Sequence, residues 1–217
     1  MCLPLEVDVI VYFTTVNRLA SINAGGEIVS VDWERKKILG ARPITPIRFS
    51  GIDDNPRGGT RGGRGIHFGD GCVHVASYNS VVTFDRELNE LQTRGHLAFA
   101  NLHETCRRRG DLWISSTALD LAVCLDSDFN LKAQWSPRND PVVASALGLS
   151  ALDVDSVFKD ESLQVNIVNG EFNQIHLNAV SVQPDGRPLV LLNRHGAVIR
   201  IESDGVGHSF RFAQGCT

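Results

Sequence analysis

Ser80-Val81-Val82-Thr83-Phe84-Asp85-Arg86-Glu87 is a β-branched run that stops on an acid, one variable residue and a second acid. The same ending recurs at Val31-Asp32-Trp33-Glu34, Leu125-Asp126-Ser127-Asp128 and Ile201-Glu202-Ser203-Asp204. Runs of strand-forming residues lie upstream of each (IVSV, SVVTF, LAVCL, AVIRI) and downstream (KILGARPI, ELQTRGH, LKAQWSP, HSFRF). An aspartate that follows a strand accepts hydrogen bonds from backbone N–H groups two residues on, which closes a tight turn between antiparallel strands. Each signature is therefore expected to be the turn of a hairpin.

Two repeats extend backward in register without gaps. Gly71-Cys72-Val73-His74-Val75-Ala76-Ser77 matches Gly110-Asp111-Leu112-Trp113-Ile114-Ser115-Ser116, and the last repeat offers Asp185-Gly186-Arg187-Pro188-Leu189-Val190-Leu191-Leu192 with one extra residue. Glycine turns of this kind join strands in hairpins. Each unit then reads as strand, glycine turn, strand, short loop, strand, aspartate turn, strand, over roughly 40 residues, the arrangement of a propeller blade. The expected fold is all-β: a small β-propeller of four four-stranded antiparallel blades, with five allowed. One domain over residues 1–217 is expected, in which 138–173 is an insertion or a degenerate blade, because the third interval between acidic turns is 76 residues against 53 and 41 for the others. Within it, 141–148 is compatible with a short helix and 163–168 with a strand. Residues 5–13 are expected to complete the ring beside 208–212, or a second subunit to cover the open edges, so a homodimer is allowed.

The 217 residues carry a formal charge of −4, with 42% hydrophobic residues, 21% charged residues and 20 glycines. This is a turn-rich globular composition, and it offers no global attraction for nucleic acid. No apolar run approaches the ~20 residues of a membrane span. The apolar N-terminal run contains Glu6 and Asp8 with no preceding basic residue, unlike a secretory signal, so a cytoplasmic location is expected. Five cysteines without C-x-x-C spacing suggest neither a disulfide framework nor a zinc ribbon, and Cys72, Cys106 and Cys124 read as small buried apolar residues. Trp33, Trp113 and Trp135 read as packing between sheets.

The repeated pattern resembles the NHL and SMP-30/gluconolactonase class of propellers over most of residues 28–212. His176-Leu177-Asn178-Ala179-Val180 with Asp185-Gly186 is similar to a motif of a propeller-like bacterial family of no assigned activity. The first resemblance implies a divalent metal held around the axis by a glutamate, asparagines and an aspartate. Only Asn178 matches such a position, and the early glutamate motif is not recognisable.

In a propeller the innermost strand of each blade lines the axis, so equivalent positions converge. Alignment on the glycine turns puts Arg64 and His103 in one register, nine residues before Val73 and Leu112, while His176 begins the corresponding strand of the last repeat. His103, His176 and His67 are candidate ligands for one divalent metal ion (zinc, iron or calcium), since imidazole and carboxylate suit such ions. His103, His176 and Glu104 are the candidate catalytic groups, although consecutive His103 and Glu104 cannot both face inward on a regular strand. Arg64, Arg61 and Asn178 are the candidate substrate-binding residues. Arg61 and Arg64 lie on a glycine-rich loop with Arg57, a composition suited to a phosphate or carboxylate. Arg107-Arg108-Arg109 reads as a solvated hairpin tip, and Asp120 as a turn residue rather than an axial or inter-blade acid. No P-loop, nucleophile elbow or nucleotide-cofactor motif is present. A small-molecule enzyme of lyase, hydrolase or isomerase type, active in the axial funnel and with neither nucleic acid nor membrane as partner, is expected. The alternative is a non-catalytic propeller scaffold that holds proteins on its faces.

Overall fold

The computed structural model describes residues 9–17, 25–44, 62–159 and 173–202, with backbone alone at 157–159 and 207–211. Among the described residues, four antiparallel sheets follow one another along the chain. The first holds β1 (Ile10–Thr14), β2 (Glu27–Asp32) and β3 (Lys37–Pro43); the second β4 (Gly65–Gly69), β5 (Cys72–Ala76), β6 (Ser80–Phe84) and β7 (Glu90–Gly95). The third holds β8 (Leu102–Arg108), β9 (Asp111–Ser116), β10 (Leu121–Leu125) and β11 (Leu131–Trp135); the fourth β12 (Leu177–Val182), β13 (Pro188–Leu192), β14 (Ala197–Ile201) and β15 (Gly207–Arg211). Every sheet is a meander in sequence order, as the repeat requires.

The turns form as the side-chain chemistry dictates. Asp85 Oδ1 accepts from the N–H groups of Glu87 (3.0 Å) and Asn89 (2.7 Å), and Asp126 Oδ1 from those of Asp128 (2.8 Å) and Asn130 (2.9 Å). The chain then passes through a left-handed residue, Leu88 or Phe129, and returns as the outer strand. At the other end of the blades, Asp70-Gly71 and Arg109-Gly110 both have positive φ, the pair of conformations that a two-residue hairpin needs.

Strands in the middle of a sheet are covered on both faces, so β6 (SVVTF) and β10 (LAVCL) are buried at every residue, whereas the outer β7 and β11 are largely exposed. Three apolar clusters lie between successive sheets. Ile28, Ile44, Val73, Val75 and Phe84 join the first to the second, and Val81, Phe99, Leu102, Ile114 and Leu121 the second to the third. Ala122, Trp135, Leu177, Val190 and Ile199 join the third to the fourth. The innermost strands meet in series, β8 packing against β4 on one side and β12 on the other.

Within the 138–173 segment, Pro141–Leu147 forms helix α1, capped by Asp140, whose carboxylate accepts from Val142 and Val143 N–H, and ended by Gly148 at φ 64°. A second helix, α2, spans Val154–Lys159. Val143 and Leu147 join the cluster between the third and fourth sheets. The strand expected at 163–168 lies outside the described residues.

Several expectations are corrected. β1 pairs with β2, and β15 is the outer strand of its own sheet on β14, so residues 10–13 do not complete a sheet with 207–211. Trp33 is exposed with the Lys36 ammonium 3.8 Å from its ring centroid, while Trp113 and Trp135 do pack between sheets. Cys124 is buried, but Cys72 and Cys106 are only half-buried. The arginine triplet is a strap between sheets: Arg107 pairs with Asp70 at 2.7 Å, while Arg108 and Arg109 donate to the carbonyls of Val182 and Pro184.

Candidate functional site at the pole of the innermost strands

β4, β8 and β12 begin at the same pole, each entered through a polar residue: Arg64, Asn101 and His176. Asn101 and His176 have positive φ (52° and 60°), so the chain turns sharply just before each strand. β4 can approach β8 here only because Gly65 has no side chain; a Cβ on it would meet Glu104 Cα at 2.6 Å and the His103 carbonyl at 2.8 Å.

Two bulges re-aim the side chains. The register of β8 on β9 slips between Leu102 and Thr105, so His103 and Glu104 both lie in the irregularity, and β12 on β13 slips between Leu177 and Ala179, which isolates Asn178. Bulges turn side chains that a flat ladder would send to opposite faces.

The result is a small polar cluster drawn from three sheets. The Arg64 guanidinium donates to Asn101 Oδ1 at 2.7 Å and to His103 Nε2. The rings of His103 and His176 meet edge to face, their centroids 5.1 Å apart. Asn173 Nδ2 donates to the Thr117 carbonyl (2.8 Å) and lies 3.2 Å from His176 Nδ1. Burial, then the Arg64 cation and His176, hold His103 down at about 3, against the Asn178 amide, which favours its charged form. His176 is lowered by burial and by Arg194 and Arg64, with Asp120 opposing. Both imidazoles are therefore neutral near pH 7.

Asp120 holds His176 in place. It is fully buried, sits at φ 51° after a 3-10 turn at Thr117–Leu119, and its carboxylate accepts from the N–H groups of Gln174 (2.6 Å), Ile175 (3.2 Å) and His176 (3.0 Å). Burial raises it despite those donors. The acid is thus a clamp between the third and fourth sheets, not a turn residue of its own loop.

Of the expected site residues, Arg64, His103, His176 and Asn178 come together, Arg64 and Asn178 each beside His103. Glu104 does not join the imidazoles; its carboxylate, raised by burial, accepts from the N–H of Thr105 (3.0 Å). His67 pairs across the hairpin with His74 and lies beside Arg107 and Asp70. Arg61 lies outside the described residues. Among the described residues no three His, Cys, Asp or Glu side chains are grouped to hold a metal. With His103 Nε2 taken by a guanidinium and His67 elsewhere, the residues present do not fit the expected three-histidine metal centre. Asn101, Asn173 and Arg194 escape sequence reading, since they precede or flank the strands and carry no motif.

Four meandering sheets stacked through their innermost strands define a β-propeller, and solved structures agree. The chain is similar to virginiamycin B lyase from Staphylococcus aureus (TM-score 0.55, 11% identity, 99% of this chain and 56% of that one). It is also similar to a streptogramin B lyase (0.54, 9%, 95% and 60%) and to the Pan2 WD40 domain of Neurospora crassa (0.58, 10%, 95% and 47%). These likenesses show the fold, and the chain spans about half the length of the structures it matches. No family model and no curated protein matches the chain. No helix among the described residues is long and apolar enough to cross a membrane.

Proposed function

We propose that the pole of β4, β8 and β12 is the active site of a small-molecule enzyme of lyase, hydrolase or isomerase type. The observation that carries this reading is the meeting of Arg64, His103 and His176, from three different sheets, in one cluster. Groups separated by up to 112 positions in sequence are brought together there at the cost of two bulges and two left-handed polar residues. Irregularities of this kind concentrate at functional sites. In this reading Arg64 anchors the substrate and His176 exchanges a proton or hydrogen bond with it. His103 is a positioning residue between them, and Asn178 steadies His103. A neighbour of the same fold offers a precedent: virginiamycin B lyase is catalytically inactive when one of its histidines is replaced by alanine.

A ligand-observed NMR screen of small polar compounds tests the reading. Compounds are expected to bind the wild-type chain and to lose at least tenfold in affinity to His176→Ala and to Arg64→Ala, with unchanged circular dichroism. Binders indifferent to both substitutions would contradict it.

A scaffold reading has one specific observation in its favour: Ile38 and Leu39 on β3, Leu91 on β7 and Leu131 on β11 are all exposed on outer strands. It predicts protein capture lost on Leu39→Ser or Leu91→Ser and untouched by His176→Ala.

A further inference from the structure

The hydrogen bonds around the two imidazoles fix where their protons sit. Arginine has only donors, so its contact with His103 Nε2 makes that nitrogen the acceptor, and a neutral His103 then carries its proton on Nδ1. The Asn173 amide is oriented independently of the histidine, because the Thr117 carbonyl accepts from its Nδ2 at 2.8 Å. The amide must therefore present its nitrogen, a donor, to His176 Nδ1 as well. A neutral His176 then carries its proton on Nε2, which has no acceptor among the described residues. The hydrogen bond at one ring nitrogen selects the tautomer, as it does for any neutral imidazole.

Charge points the same way. The Arg64 guanidinium lies against His103, and Arg194, which donates to the carbonyls of Asn173 (3.0 Å) and Gln174 (3.2 Å), acts on His176 as a second cation. Among the described residues, Asp120 acts on His176 with the opposite sign, but its carboxylate accepts from three backbone N–H groups. Glu104 is turned to Thr105.

We propose that this pole is an oxyanion site: the ligand presents a carboxylate or phosphate oxygen, or an oxygen on which negative charge develops, to His176 Nε2–H beside the Arg64 cation. A neutral imidazole donor does not compete with the ligand for a proton and loses none when the anion departs. The proposal rests on the small-molecule reading above and narrows it to the class of group bound.

The test uses the full chain with 15N-labelled histidine. Long-range 1H–15N correlation is expected to show His176 protonated on Nε2 and His103 on Nδ1 at pH 7. Titration with acetate, succinate and inorganic phosphate is expected to shift His176 Nε2 saturably, at least tenfold more tightly for the best anion than for acetamide or succinamide. The carboxylate and phosphate arms identify which oxyanion is preferred. Asn173→Ala, which frees Nδ1, is expected to weaken that anion at least fivefold while His103 keeps its tautomer. A proton on Nδ1 of His176, or equal binding of the neutral amides, would overturn the oxyanion assignment and leave the small-molecule reading standing. No response of His176 to any probe, charged or neutral, would overturn both.

Discussion

Gly65 shows how much of the site hangs on a missing side chain. A methyl there would meet the backbone of Glu104 and His103 below 3.0 Å, and backbone does not swing aside as a side-chain end can. Gly65→Ala should therefore push β4 from β8, cost about 1–3 kcal/mol of stability as overpacking does, and weaken ligand binding by parting Arg64 from His103. Urea denaturation with a parallel binding measurement checks both. A variant of wild-type stability and affinity would mean that β4 does not touch β8. At this scale the sequence is half legible. Alignment on the glycine turns brings Arg64 and His103 into one register, and contact between them follows. Asn101 and Asn173 are invisible, because their importance comes from a left-handed backbone and from a carbonyl at Thr117, neither of which leaves a pattern in the chain. His67 misleads for the opposite reason. It lies on β4, but three residues beyond Arg64, where the strand has carried it to His74 and Arg107.

Among the elements, the aspartate turns were readable because one short-range interaction decides them, a carboxylate on N–H groups two and four residues ahead. The bulges in β8 and β12 were not. Alternation predicts that His103 and Glu104 face opposite ways, and the slip between Leu102 and Thr105 is a tertiary adjustment to the neighbouring sheets. The Asp120 clamp belongs to this scale as well, since it ties the loop after β9 to the entry of β12. Asp120→Ala leaves three buried or half-buried N–H groups without their acceptor, at a cost of roughly 3 kcal/mol. Asp120→Asn keeps one acceptor oxygen and should recover part of that loss. Thermal unfolding measures the stability ranking, wild type above Asn above Ala. Because the clamp also sets the backbone of His176, the Ala variant should lose ligand affinity even where it remains folded. Equal affinity in the folded Ala variant would show that the clamp does not position the imidazole.

Taken whole, the molecule buries neutral histidines in its seams, and this makes it sensitive to acid. His74 is held at about 4 by burial, then by Arg107 and His67; His103 is held at about 3; His67 and His176 are lowered as well. A histidine whose pKa is lower folded than unfolded binds its proton more readily in the unfolded chain. Stability is therefore intact above about pH 6.5 and falls as pH drops toward 4, by roughly 1 kcal/mol per pH unit for each of His74 and His103, with His67 and His176 acting in the same direction. Glu104 and Asp120, raised by burial, act in the opposite sense. Urea midpoints should decline between pH 7 and pH 5, and less steeply in His74→Gln; a flat profile would mean that the histidines are solvated. The four-sheet architecture was legible because a repeat announces itself, and the short helix allowed at 141–148 forms as α1; α2 was not legible, since it answers to the packing of Val154 in the cluster between the second and third sheets rather than to any periodicity. Residues 103 and 176, which belong to different sheets, are neighbours at one pole. The nuclear Overhauser effect between their ring protons tests this most directly. With ring centroids 5.1 Å apart, a cross-peak should be seen. Its absence in a folded, assigned sample, with each ring giving cross-peaks only to its own sheet, would contradict the account.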